Sequence, residues 1–370
     1  MMRKLMFGLV SRQTIHLVAG ARPNVMKVGP LYHALAASSW ARPVLVNTGQ
    51  HFGAEMSDVF FRELDLPQPH HHLQATGATH GALTAAVLVA YEALLLRERP
   101  DWVIVAGDVN STLAACLAAR KLHIPVAHLE AGLRSGDRTM PEEINRIAVD
   151  GMADLLWTPS PDADDNLHRE GVPAERIDRI GNVMIDAYCR LEPAISRAAT
   201  PSKLGVADRR YVVVTLHRPS NVDHADRLGV IVAQLAALQR DATVLFPVHP
   251  RTAQRLTAEQ RLTLESAGVR LLPPMGYVEF MGLVREAAVV VTDSGGVQEE
   301  TSYLGIPCLT VRDSTERPIT VTLGTNRLVA LTDVATVARR QVHVRPAVPA
   351  IPLWDGHAAH RAVESLARRM

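Results

Sequence analysis

Two acidic residues stand where short apolar runs give way to polar sequence, and a third stands near the start of a helix-like segment. Asp108 closes WVIVAGD (102–108), Glu130 closes PVAHLE (125–130), and Glu142 opens PEEINR (141–146). Carboxylates gathered in one secluded place have their pKa values pushed apart, so one can act as base while another acts as acid. This is the equipment of general acid–base catalysis. Glu142 or Glu143 also has a plainer reading, as negative charge complementing a helix start. A second signal is TDSGGVQEE (292–300), a turn that follows a buried run and opens a helix. Ser294, Gly295 and Gly296 would present backbone N–H groups at the positive helix end, with little side chain to keep a diphosphate away. Glu300, one or two turns further in, is placed to accept hydrogen bonds from ribose hydroxyls. The same turn reads equally as an ordinary helix cap. A third signal is GARPNVMK (20–27), where Arg22 and Lys27 offer a planar fork and a point charge for phosphate oxygens or a negative leaving group. Surface ion pairs are the plain alternative there. This turn lacks GxGxxG, which argues against bound NAD.

Something must hold these residues at strand ends. Apolar runs recur at 15–20, 44–49, 102–108 and 125–130, and again at 211–217, 243–249, 287–293 and 307–313. Runs that are apolar throughout indicate strands buried on both faces, and interleaved helices such as LTAAVLVAYEALLLRE (83–98) make parallel βαβ units. The fold class expected is α/β, with two Rossmann-like doubly wound domains. The pattern restarts after the polar, Pro-containing stretch near 187–210. We therefore expect an extension over 1–12, a first domain over 13–187 and a second over 188–355, with a terminal helix over 356–370 folding back on the first. In open parallel sheets ligands bind beyond the carboxyl strand ends, where Gln50, His51, His217, Arg218, His249, Arg312 and Asp313 also fall. Two facing domains would bring this set into one cleft.

Lys+Arg 39 against Asp+Glu 38 leaves a formal charge of +1, without the basic footprint of a nucleic-acid binder. Any anionic ligand must be held locally. The three cysteines, Cys116, Cys189 and Cys308, lie far apart without CxxC spacing, so neither a disulfide framework nor a zinc site follows and a cytoplasmic setting fits. The N-terminus has too short an apolar patch for a signal sequence, and no run approaches the roughly 18 apolar residues of a membrane span. His70, His71 and His72 lie between prolines without a carboxylate or cysteine nearby, and read as a solvated loop. No metal is expected, since no ligand cluster stands out, and HExxH, P-loop and GxSxG patterns are also missing.

With those residues in view, the chain resembles the non-hydrolysing UDP-N-acetylglucosamine 2-epimerase family from about residue 15 to about residue 330. The likeness is carried by GARPNVMKVGPL, NTGQHF, AGDVNSTLAA, HLEAGLRSGD, MPEEINR, IGNVMIDA, TLHR, VHPR, TDSGGVQEE and RDSTERP. The resemblance implies a glycosyltransferase-B arrangement with its active site between the domains, a homodimer, and interconversion of UDP-GlcNAc and UDP-ManNAc without a cofactor. It makes Asp108, Glu130, Glu142 and His217 catalytic. It also gives Arg22, Lys27, Ser294, Gly295, Gly296, Glu300 and Arg317 to the nucleotide, phosphates or ribose, and Phe280 to the uracil. The sequence departs from the family where Asn24 replaces the usual Glu, and where Pro219 and Ser220 follow the His-Arg pair. Gly53 and Ala86 stand where regulated members have the Gln and Arg that hold a second substrate molecule, so allosteric activation is not implied here. Three rival readings use the same motifs: a 2-epimerase of a UDP-2,3-diacetamido uronic acid, a glycosyltransferase of the same fold, and a sugar-nucleotide sensor that binds without turnover and would not need the three carboxylates.

Overall fold

The computed structural model describes residues 12–49, 61–344 and 346–370; Gln50, His51 and Gly53, and the side chain of Arg22, lie outside the description. The chain divides into two compact units. The first holds the described residues up to Leu133, Asp137–Val183 and His357–Met370, and the second holds Arg134–Gly136 and Met184–Gly356.

In the first unit, strands β1 (Gln13–Ala19), β2 (Ala41–Asn47), β3 (His71–His72), β4 (Trp102–Ala106), β5 (Val126–Leu129), β6 (Leu155–Thr158) and β7 (Ile177–Arg179) form one parallel sheet, in the order β3-β2-β1-β4-β5-β6-β7. Every residue of β4 is buried, as an unbroken apolar run flanked by helices requires. The strand order reverses between β1 and β4, and the crevice at such a switch point is where doubly wound sheets take ligands. Helix α1 (Arg22–Ala37) leaves β1 at that point. Helices α2 (His80–Arg97) and α3 (Asn110–Lys121) pack on each other, and α4 (Pro141–Met152) packs on α3.

The second unit repeats the plan. Strands β8 (Tyr211–Thr215), β9 (Thr243–Pro247), β10 (Arg270–Leu272), β11 (Val289–Thr292), β12 (Cys308–Thr310) and β13 (Asn326–Leu328) lie parallel in the order β10-β9-β8-β11-β12-β13. Its switch point falls between β8 and β11, which run in register from Val212↔Val289 to Thr215↔Thr292. Helix α5 (Tyr277–Val284) precedes β11, and α6 (Gly295–Leu304) follows it. The expected fold class of two Rossmann-like α/β units is borne out, with a large buried apolar cluster against each sheet. The terminal helix α7 (Ala358–Ala367) belongs to the first unit and packs on α1. There Ser365 Oγ accepts from Trp157 Nε1 at 2.9 Å, and Arg361 Nε donates to the Ile180 carbonyl at 2.6 Å.

Two expectations need correction. His71 and His72 form the edge strand β3 instead of a loop, and His70 Nδ1 accepts from the Leu45 N–H at 3.0 Å. Helix α2 is, by length and composition, apolar enough to cross a membrane. It buries Val87, Tyr91, Leu94 and Leu95 against its neighbours but exposes Val89 by 63% and Leu96 by 69%.

One buried histidine was passed over by the motif reading. His16 is fully buried in β1, with Nδ1 at 3.2 Å from Tyr91 Oη. Burial first, then the charges of His71, Arg42 and His70, push its pKa down from 6.5 to about 4. The fold therefore favours the neutral ring. That stability is full above pH 6.5 and is lost as pH falls toward 4, amounting to about 3 kcal/mol in all. Denaturant midpoints across this range should fall more steeply for the native chain than for His16→Phe. Equal slopes would show that His16 does not carry the acid sensitivity.

Candidate active site

At the first switch point the β1–α1 turn is held by Asn24. Its Oδ1 accepts from the Ala21 N–H at 2.9 Å and its Nδ2 donates to the Ala106 carbonyl, the last residue of β4, at 2.7 Å. An ionised Glu could not make that donation, so the departure from the family pattern has a local structural use. One turn along α1, the buried Lys27 forms a close ion pair with Glu130 just past β5. Gly107 lies between them at φ +66°, and a Cβ there would meet Lys27 Nζ at 2.8 Å. Glu130 itself has φ 70°, a left-handed conformation uncommon for a non-glycine residue. It is fixed there because the N–H groups of Glu130 and Ala131 both donate to the Trp157 carbonyl, at 3.1 and 3.0 Å. Strain of this kind persists where the surroundings over-determine it, as at functional sites.

Asp108, just past β4, closely contacts the buried Arg146 of α4, which also donates to Glu143 Oε2 at 2.7 Å. Asn145 Nδ2 donates to the Asp108 carbonyl at 2.8 Å. The two readings of PEEINR thus separate. Glu143 is buried in the Arg146 pair, whereas Glu142 is half-buried at the helix start with no ion pair among the described residues.

At the second switch point Asp293 is the hub. Fully buried, it accepts from the His217 N–H at 3.0 Å, the Arg218 N–H at 2.9 Å and Asn221 Nδ2 at 3.0 Å, and its Oδ1 lies 3.0 Å from His217 Nδ1. Burial raises its pKa, but the His217 bond and charge and the Asn221 and Arg218 bonds outweigh that and hold the carboxyl below its usual value. His217 is 37% exposed and tilts against the His249 ring at 5.1 Å, and its Nε2 has no hydrogen-bond partner among the described residues.

Ser294 caps α6, and Gly295 and Gly296 form its first turn. A Cβ on Gly295 would meet Arg317 Nη1 at 2.6 Å, whereas one on Gly296 would meet open space. Arg317 is held by Glu299 and Glu316, each at 2.9 Å, and Glu316 also pairs with Arg312 at 2.8 Å. Cationic guanidinium groups and free helix N–H donors therefore gather at one helix start, an arrangement that attracts anions. Glu300 Oε1 accepts from Tyr277 Oη at 2.7 Å, and Tyr277 lies one helical turn from the half-buried Phe280 on α5. Asp293 was expected only as part of the turn at the strand end, and Arg146 and Tyr277 were not among the expected site residues. The i,i+3 spacings Glu143–Arg146 and Tyr277–Phe280 are the signals that point to those two.

Carboxylates held against cations at the ends of β4 and β5 in one unit, and an anion-receptive helix start in the other, are equipment for acid–base chemistry and for binding an anionic ligand. A family model described as UDP-N-acetylglucosamine 2-epimerase matches residues 33–367. UDP-N-acetylglucosamine 2-epimerase of Methanocaldococcus jannaschii is 40% identical over 324 residues, covering 85% of this chain and 88% of that protein. UDP-2,3-diacetamido-2,3-dideoxy-D-glucuronate 2-epimerase of Pseudomonas aeruginosa is 43% identical over 315 residues, covering 84% and 87%. The crystal structure of the M. jannaschii UDP-GlcNAc 2-epimerase in complex with UDP-GlcNAc and UDP superposes with a TM-score of 0.86 at 37% identity, covering 96% of this chain and 99% of that one. The chain belongs to the UDP-N-acetylglucosamine 2-epimerase family.

Proposed function

We propose that the chain interconverts UDP-GlcNAc and UDP-ManNAc by eliminating and re-adding UDP. The observation that carries this reading is the grouping of Asp108, Glu130 and Glu142 on the ends of β4 and β5 and the start of α4, with fixed cations on the first two. The C2 hydrogen of the sugar is not next to a carbonyl, so its direct removal is difficult. If UDP leaves first, the developing oxocarbenium at C1 acidifies that hydrogen, and its loss gives 2-acetamidoglucal. Protonation on the other face and return of UDP complete the inversion, with no net oxidation. Arg22, the Ser294–Gly295–Gly296 helix start and His217 stabilise the departing charge, as preorganised donors do. Lys27, paired with Glu130, offers its positive charge to the phosphates. Asp108, Glu130 and Glu142 stabilise the cation and act as acid and base on the two faces of C2. Glu300, held by Tyr277, takes the ribose, Phe280 lies beside the uracil, and Arg317 takes the nucleotide end.

Incubation with UDP-GlcNAc alone, followed by proton NMR, should show UDP-ManNAc accumulating, and UDP-ManNAc should return UDP-GlcNAc. Free UDP without an epimer would favour a glycosyltransferase. The likeness to the P. aeruginosa enzyme supports a second reading, that the substrate is a UDP-2,3-diacetamido uronic acid. Turnover of that nucleotide sugar alone would move the assignment there. The three free cysteines suit a reducing cytoplasm.

The protein acts as a homodimer in this reading. On α2 the exposed residues Ala82, Ala85, Val89, Ala93 and Leu96 recur every three or four positions, an apolar stripe that a second copy of the same helix can cover about a two-fold axis. Small alanines between the larger side chains allow close approach. Val89→Asp with Leu96→Glu should convert a dimer to a monomer in sedimentation velocity. An unchanged sedimentation coefficient would remove α2 from the interface.

A further inference from the structure

Behind the carboxylates lies a buried pair that the reaction scheme does not use. His128, in β5, and Asp150, in the last turn of α4, are each almost wholly buried. His128 Nδ1 is 2.6 Å from Asp150 Oδ1, and Nε2 is 2.8 Å from the Gly107 carbonyl. A carbonyl oxygen can only accept, so Nε2 carries a proton. The short contact to Asp150 requires a second proton between Nδ1 and Oδ1. Both ring nitrogens are thus engaged through a proton. Asp150 Oδ2 in turn accepts from the Gly132 N–H at 3.0 Å. These three bonds reach three segments: Gly107 precedes Asp108, Gly132 follows Glu130 by two residues, and α4 carries Glu142 and Arg146. Gly107 and Gly132 both have left-handed φ, +66° and +79°, so the chain bends sharply at each point the pair grips. A buried ion pair contributes little to stability compared with apolar packing of similar volume, which leaves its geometry as its use.

We infer that His128 and Asp150 are positioning residues, a charged strap that sets the spacing of Asp108, Glu130 and Glu142 without touching substrate. This rests on the reaction proposed above, because its catalytic effect is read through those carboxylates. With the full chain labelled with 15N-histidine, the His128 ring should show two N–H resonances, and Asp150→Asn should retain only one. The same variant should lower kcat by about 10- to 100-fold, with KM for UDP-GlcNAc and UDP affinity within about threefold, as expected for small misplacement of reacting groups. Destabilisation alone would not remove a ring proton while UDP binding persists. A His128 ring with one bare nitrogen in the native chain, or a folded Asp150→Asn with kcat within about threefold of native, overturns the inference. Should Asp150→Asn fail to fold, the native ring spectrum decides. A native chain that leaves UDP-GlcNAc unchanged strikes the reaction itself, and the ring spectrum then still shows whether the charged strap exists.

Discussion

Asp108→Asn and Glu130→Gln should each lower turnover by about 10²- to 10⁴-fold, the usual contribution of a general acid or base, while UDP still binds. The geometry explains why the effect should fall on chemistry. Both residues sit at the first unit's switch point, whereas the anion-receptive helix start lies in the second unit, on α6. Asn keeps the volume of Asp108 and its carbonyl bond to Asn145, but loses the anionic contact with Arg146. Gln at 130 retains the left-handed backbone and the two bonds to Trp157, but leaves Lys27 without its anionic partner. Some loss of stability is expected from that buried cation, so the decisive comparison is turnover against UDP affinity in protein shown to be folded. Steady-state rates and calorimetric titration with UDP supply both numbers. Turnover of both variants within about threefold of native would move the acid–base chemistry to other residues.

The second large effect is expected at Asp293→Ala. This carboxylate receives two backbone N–H groups and the Asn221 amide, and faces His217 Nδ1, all in a fully buried position. Removing it leaves the two backbone N–H groups unpaired and His217 free to turn, while Asn221 keeps its bond to the Val311 carbonyl. Breaking such a buried charged network costs about 3–5 kcal/mol, and the loss belongs to the second unit, where β8 and β11 exit. Guanidinium unfolding should show that loss, and UDP affinity and turnover should both fall because the His217 turn and the start of α6 share this anchor. A stability change below about 1 kcal/mol would show that water or a neighbouring group replaces the carboxylate.

Much of this architecture is legible in the sequence because the central strands are unbroken apolar runs. All eight runs named from residue pattern are strands: β1, β2, β4 and β5 in the first sheet, and β8, β9, β11 and β12 in the second. The strands missed are β3, β6, β7, β10 and β13, each of two to four residues and all but β6 partly exposed. Their strand character comes from pairing with a neighbour instead of from their own composition. Site residues are visible as residue types at strand ends, but their partners are not. Nothing in PEEINR says that Glu143 pairs with Arg146 while Glu142 does not, since helix spacing allows either acid to face a cation. Nothing in PVAHLE says that Glu130 adopts φ 70° or that His128 bridges Asp150 and Gly107, because both depend on residues that pack from β6 and α4.

The central claim is that UDP leaves and the C2 proton is exchanged before UDP returns. The direct measurement is incubation with UDP-GlcNAc in deuterium oxide, reading C2 by proton NMR and mass spectrometry. The UDP-ManNAc formed should carry solvent deuterium at C2, and the remaining UDP-GlcNAc should acquire it as the two forms equilibrate. UDP-ManNAc that keeps its original C2 hydrogen throughout would contradict elimination through 2-acetamidoglucal.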